Sequence, residues 1–161
     1  MRSSLGSLAL INALLWVLVN VAWLNVGSEQ LTGSQLSNAL NLLPAISLIM
    51  LLISAYKKFQ RSLWLASGLS SGLVAAVIFF SDFASSPAVV SILEAMTGIQ
   101  NATPADAGVV LNLGIMAWIS AGVSIAALLA SVYFATKKPA ARKSETLKQS
   151  DDNRSLWDEQ Q

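Results

Sequence analysis

The sequence predicts an all-α membrane protein: a four-transmembrane-helix bundle with a short amphipathic helix in the second outer loop and a disordered C-terminal tail. Three observations predict it. The stretches 3–28, 30–56, 62–81 and 107–136 hold no charged residue. All ten Lys and Arg fall in three clusters: Arg2; Lys57, Lys58 and Arg61; and six between Lys137 and Arg154. Only 12% of residues are charged and the mean hydropathy is +0.58, whereas a soluble domain carries about 25% charged residues. Crossing about 30 Å of hydrocarbon takes about 20 apolar residues, and each stretch is long enough. The reading is a membrane domain over 1–136, with spans near 7–25, 37–56, 63–81 and 109–135, and a flexible cytoplasmic tail over 137–161.

The first span follows Arg2. Its apolar run exceeds the ~7–15 residues of a signal-peptide core and contains Trp16 and Trp23, so it reads as a retained span. The loop 26–36 is polar, with Gly27, Gly33 and one acid, Glu29. The second span carries Pro44, which removes a backbone hydrogen bond and predicts a kink. Lys57 to Arg61 form a basic turn, and the third span ends in Phe79, Phe80 and Phe83.

In the loop 82–107, Ser86-Pro87 reads as an N-cap followed by proline at the first helical position. Val89, Ile92, Leu93, Met96 and Ile99 recur at helical spacing, and Gly98 is a stop signal. That stripe predicts a short helix, either lying on the membrane surface or packed across the mouth of the bundle. Lys137-Lys138-Pro139 ends the fourth span. The tail beyond is too polar to fold alone.

Basic loops stay cytoplasmic in helical membrane proteins. The N-terminus, the 57–61 turn and the tail are therefore placed inside. Loops 26–36 and 82–107, which hold only acids, face outward. Tyr56, Trp64, Tyr133 and Phe134 then mark the inner interface, and Trp23, Phe79, Phe80 and Phe83 the outer one, as aromatic belts do.

With no Cys and no His, the chain has no thiolate or imidazole to bind a metal, a haem or a cluster. It also lacks the usual partners of a nucleophilic triad. The outer acids Glu29, Asp82, Glu94 and Asp106 are scattered without ligand spacing. No cofactor, no metal, no catalytic residue and no nucleic-acid partner is expected. The spans hold no ionisable group at depth, where proton-coupled transporters place one.

Uncharged polar residues do occur at depth. Asn12, Trp16, Asn20 and Trp23 are spaced four, four and three, a possible polar path along one face. Asn41, Pro44, Ser47 and Ser54 lie on one side of the second span. Gly68-x-x-x-Gly72, with Ser71 beside it, marks the third as a close-packing helix. The fourth has two small-residue faces, Ala117–Ser120–Ser124–Ala127–Ser131 and Gly122–Ala126–Ala130, which predict a central helix touching two neighbours. Leu156-Trp157-Asp158 stands out in the tail as a docking peptide, because Trp is enriched at binding hot spots. Asn101-Ala102-Thr103 fits a glycosylation sequon and is read as chance.

These pieces together resemble the tryptophan-associated (Trp-operon-associated) transmembrane protein family of actinobacteria. The resemblance rests on Trp23, the Leu31-Thr32-Gly33-Ser34 loop, the small-residue opening Ala39 to Ala45, the basic turn Lys57 to Arg61, Gly68, and the Leu156-Trp157-Asp158 box. The family's box continues into a Leu-Asp and an Asp-Pro-Thr ending, where this sequence reads Glu159-Gln160-Gln161. The resemblance implies a four-span bacterial inner-membrane protein of unassigned activity with a link to tryptophan metabolism, and no mechanism. The sequence thus points to a non-enzymatic accessory or interaction subunit in the bilayer, with a membrane or cytoplasmic protein partner or a homo-oligomer. The alternative is an uncoupled oligomeric facilitator for tryptophan or a related aromatic metabolite.

Overall fold

The computed structural model describes residues 2–56 and 60–137. Lys57, Lys58 and the tail from Lys138, with Leu156-Trp157-Asp158, lie outside the described residues. The described chain is mostly helical. Four long helices, α1 (Arg2–Val19), α3 (Asn38–Ser54), α4 (Gln60–Phe80) and α6 (Ile115–Thr136), pack in a ring. α4 packs on α3 and α6, and α1 packs on the same two, so α1 and α4 face each other across the diagonal. α4 and α6, with 21 and 22 residues, are long and apolar enough to cross a membrane. α1 and α3 are apolar but shorter.

The stretches 37–56 and 63–81 are helical as expected, over α3 and α4, with bounds that agree to within a few residues. The other two are corrected. The first helix ends at Val19, not near 25, and Ala22–Val26 is a strand, β1, paired antiparallel with β2 (Glu29–Thr32). Val26 pairs with Glu29 around a two-residue turn, Gly27-Ser28, whose Gly27 has φ +61°. Glycine at the first turn position suits a tight hairpin, since it takes positive φ without a Cβ clash. A bulge at Trp23 brings both Trp23 and Leu24 inward. The all-α expectation therefore fails at this hairpin. The last helix starts at Ile115, not 109, because Leu113 bridges to Leu24 and Gly114 N–H donates to Trp23 O at 2.6 Å. A Cβ at Gly114 would stand 3.0 Å from that oxygen.

The segment between the strands and α3 is a short helix, α2 (Gly33–Leu36), held by a capping box between Thr32 and Gln35. The loop helix forms as expected. α5 (Pro87–Thr97) starts at Ser86, whose hydroxyl accepts from Val89 N–H, and stops at Gly98 with φ +72°. Of its apolar stripe, Val89 and Leu93 are fully buried while Met96 and Ile99 are exposed. α5 packs on α2, β1 and the 3-10 turn Phe83–Ser85. It therefore lies across the end of the bundle.

Hairpin, α2 and α5 form a cap that shares one core with the helices. Trp23, Val26, Leu31, Leu36, Val89 and Leu93 are continuous with Leu15, Val19, Val74 and Ile78. Trp23 is 1% exposed, and its indole N–H donates to Leu18 O at 2.9 Å, a carbonyl near the helix end that also accepts from Val21 N–H at 3.3 Å. The ring lies under Gly33, where any Cβ would come within 2.8 Å of it. A second cluster at the opposite end holds Leu8, Leu51, Trp64 and Ala135. Three belt assignments are thus corrected, those of Trp23, Trp64 and Phe83: Trp23 and Trp64, the latter 3% exposed, are core residues. Phe83 is also buried, whereas Tyr56, Phe79, Phe80 and Tyr133 are exposed.

Candidate functional site

At the centre of the ring, uncharged polar side chains from the long helices meet. Asn12 on α1 is fully buried. Its Oδ1 accepts from Ser47 Oγ on α3 at 2.7 Å and from Ser71 Oγ on α4 at 2.5 Å. Its Nδ2 donates to Leu8 O at 2.8 Å. Ser47 and Ser67 hydroxyls lie 2.6 Å apart, and Ser71 Oγ also reaches Ser47 Oγ at 3.0 Å. On α6, Ser124 Oγ donates to Ser71 O and accepts from Ala75 N–H at 3.1 Å. One node therefore ties all four helices, and it crosses the diagonal from α1 to α4. Ser67 was not singled out from the sequence. Its signal was there, since Ser67 and Ser71 are one turn apart and share a face.

The residues proposed as a polar path do not line one passage. Asn12 is inside, while Trp16 and Asn20 are exposed on the outer surface. Trp16 Nε1 donates to Asn41 Oδ1 at 3.1 Å and Asn20 Nδ2 to Trp16 O at 2.8 Å. Trp23, expected on their face, has left the helix for β1. Ser54 belongs to the second cluster, where it accepts from Trp64 Nε1 at 3.0 Å.

The packing residues divide cleanly. A Cβ at Gly68 would stand 2.5 Å from Ser131 Cβ, and one at Gly72 would stand 3.0 Å from Leu128 Cδ2. Gly68-x-x-x-Gly72 is thus the α4 side of the α4–α6 contact. On α6, Ala117, Ser120, Ser124, Ala127 and Ser131 are all buried. The second ridge is corrected: Gly122 and Ala126 are exposed, and a Cβ at Gly122 would meet nothing within 4 Å. Ala130 is half-buried against the Trp64 cluster. The bundle makes no use of Gly122 and Ala126 because α6 meets α4 and α1 through its other faces. Comparison with family models, curated proteins and solved structures gave no match to this chain.

Chemically, the node can donate and accept hydrogen bonds. No base contacts its serine hydroxyls among the described residues, and each is engaged by a carbonyl, an amide or another hydroxyl. The loop acids do local structural work. Asp82 Oδ1 accepts from Ala84 N–H at 3.1 Å, and Glu94 Oε1 accepts from Asn101 N–H at 2.6 Å. That second bond holds Asn101 at φ +54°, a conformation Asn tolerates. Among the described residues, no three acids converge as a metal cage.

Asp106 accepts from Thr103 Oγ1 at 2.7 Å and Thr103 N–H at 2.8 Å. The hydroxyl first, then the amide, holds its carboxyl below the ordinary 3.8. A lowered folded value stabilises the loop above the unfolded value, and this is lost as pH falls through the folded one. Thr103→Val should therefore raise the Asp106 pKa towards 3.8, read by carboxyl NMR titration. An unchanged titration would mean the hydroxyl bond is absent in solution.

Proposed function

We propose that this chain is a four-span integral membrane protein acting as a non-enzymatic accessory or interaction subunit of a membrane assembly. The observation that carries the reading is its inside-out polarity. Asn12, Ser47, Ser67, Ser71 and Ser124 are buried at the centre. Leu10, Leu42, Leu52, Leu69 and Leu129, from all four helices, are more than half exposed. In water, an apolar surface wrapped around a whole bundle would far exceed the few hundred Å² of ordinary exposed patches. In lipid the same surface costs nothing, and interior Ser, Asn, Ala and Gly are the usual means of joining helices.

The short helices fit this reading. At about 1.5 Å per residue, the 18 residues of α1 reach about 27 Å and the 17 of α3 about 26 Å. A shortfall of a few Å against ~30 Å of hydrocarbon is met by local thinning at a fraction of a kcal/mol per Å. The basic clusters at Arg2, 57–61 and 137–154 support a topology with both termini in the cytoplasm and the cap outside. Because the chain has no Cys, labelling is clean. Ser28→Cys and Ser91→Cys should react with an impermeant maleimide in intact cells, and Ser144→Cys only after permeabilisation. The reverse pattern would overturn the topology.

The accessory role is favoured over the facilitator by the sealed interior. The cap continues the helical core, the node consumes its own polar groups, and Asn12, Trp16 and Asn20 have no common wall. Leu156-Trp157-Asp158 is the proposed contact for a cytoplasmic partner, and the resemblance to the tryptophan-associated family adds the link to tryptophan metabolism in a bacterial inner membrane. Purification in mild detergent from the native host, with cross-linking, tests the role. Trp157→Ala should abolish co-purification of the partner and leave the melting temperature unchanged. Recovery of the wild-type chain as a lone monomer would overturn the reading.

A further inference from the structure

Where α4 stops at Phe80, the chain turns through Ser81 and Asp82 into the 3-10 turn, and the extended segment before α6 comes alongside to meet β1. Between them lies an open cleft of about 220 Å³, walled by Leu24, Phe83, Leu111 and Leu113, with exposed Ser81 and Asp82 among its lining. A dry cavity of about 150 Å³ is enough for benzene, so this one takes a small ring or a short chain. Its polar end is a carboxylate with spare capacity. Asp82 Oδ1 accepts from Ala84 N–H, while among the described residues no donor reaches Oδ2.

The surroundings do not neutralise it. The sequence holds no Lys or Arg between Arg61 and Lys137, while Glu94 and Asp106 add negative charge in the same loop. An anionic ligand would be repelled, and a neutral one would gain nothing from the charge. We infer that the cleft binds an amphipathic amine, its apolar body against Leu24, Phe83, Leu111 and Leu113 and its ammonium on Asp82 Oδ2. The ammonium belongs either to a free amine or to the head group of an aminophospholipid. Both present the same chemistry to this site, and the inference does not depend on the accessory-subunit reading.

The test uses the full chain in a nonionic detergent, titrated with 2-phenylethylamine and with its neutral analogue 2-phenylethanol. Binding is read from amide NMR shifts at Ala84 and Leu113. The amine should bind at least about tenfold more tightly than the alcohol, the value of one charge-assisted hydrogen bond. Asp82→Asn keeps an oxygen to cap Ala84 N–H and removes the charge, so it should erase the difference. Ala84 also lines the cleft, so Ala84→Leu, which fills it, should lower the affinity for both ligands. Equal affinities in the wild-type chain, or an amine preference that survives Asp82→Asn, would overturn the proposal. In phosphatidylcholine nanodiscs, competition by added phosphatidylethanolamine would assign the site to lipid, and saturable amine binding without that competition would assign it to a free amine.

Discussion

Gly68→Leu should cost on the order of 3 kcal/mol or more, the upper range for overpacking a close contact, while Gly122→Leu stays within about 0.5 kcal/mol of wild type, as at an open position. The two glycines look alike in the sequence. Each sits in the middle of an apolar helix and each opens a small-x-x-x-small pattern. They differ in what a first carbon would meet. At Gly68 it would stand 2.5 Å from Ser131 Cβ and 2.9 Å from its Oγ, far inside the 3.5–4.0 Å of normal carbon contact. α4 and α6 would have to separate by about 1 Å, and dispersion falls steeply over such a gap. At Gly122 the space is empty. The comparison is read by reversible unfolding in detergent. Ser131→Gly should recover part of the loss in Gly68→Ala, since the two positions share one contact and such pairs couple. Equal losses at Gly68 and Gly122 would mean that α6 is rotated from the placement described above.

The helices were legible because their signals are long and physical. Uncharged runs of about 20 residues have few alternatives, and Ser86-Pro87 with Gly98 punctuates α5 through a cap, a fixed φ and a positive φ. The hairpin was harder. β1 continues an apolar run that starts in α1, so hydropathy does not mark the change of structure. The marks are local: Gly27-Ser28 between Leu24-x-Val26 and Leu31 is a hairpin signal. Trp23 was misread for a related reason. Period alone placed it on a helical face, and only the bulge and the glycine over its ring show that it belongs to the core.

The candidate site was half legible. Asn12, Ser47, Ser71 and Ser124 are conspicuous as polar residues in apolar runs, and a medium without water makes such groups find one another. Which of them meet depends on helix rotation. A four-residue step along a helix turns the side chain by about 40°, so Asn12 and Asn20 differ by about 80°. That angle separates the centre of the ring from its surface. The same uncertainty put Gly122 and Ala126 on an inner face. Two faces of one helix with nearly equal content of small residues cannot be ranked without knowing the neighbours.

Asn12 tests whether the node is dry. Asn12→Leu removes two bonds between helices, from Ser47 and from Ser71. Such bonds in membrane proteins average about 0.6 kcal/mol and reach about 1.7. Both hydroxyls keep another acceptor, because Ser47 and Ser71 also reach Ser67 O at 3.1 and 2.9 Å. No hydroxyl is orphaned, and the expected loss is about 1–2 kcal/mol. Asn12→Asp, nearly the same shape, should be worse at neutral pH. It would put a carboxylate where no cation lies among the described residues, with an oxygen set against Leu8 O in place of the donating Nδ2. An unpaired buried charge costs on the order of 3–5 kcal/mol, so the conservative change should destabilise more than the apolar one. In a hydrated channel the order reverses, since water would solvate the carboxylate and Leu would face water. Unfolding midpoints of the two variants in detergent at pH 7 therefore distinguish a sealed bundle from a conduit, and an Asp variant at least as stable as the Leu variant would remove the argument against transport.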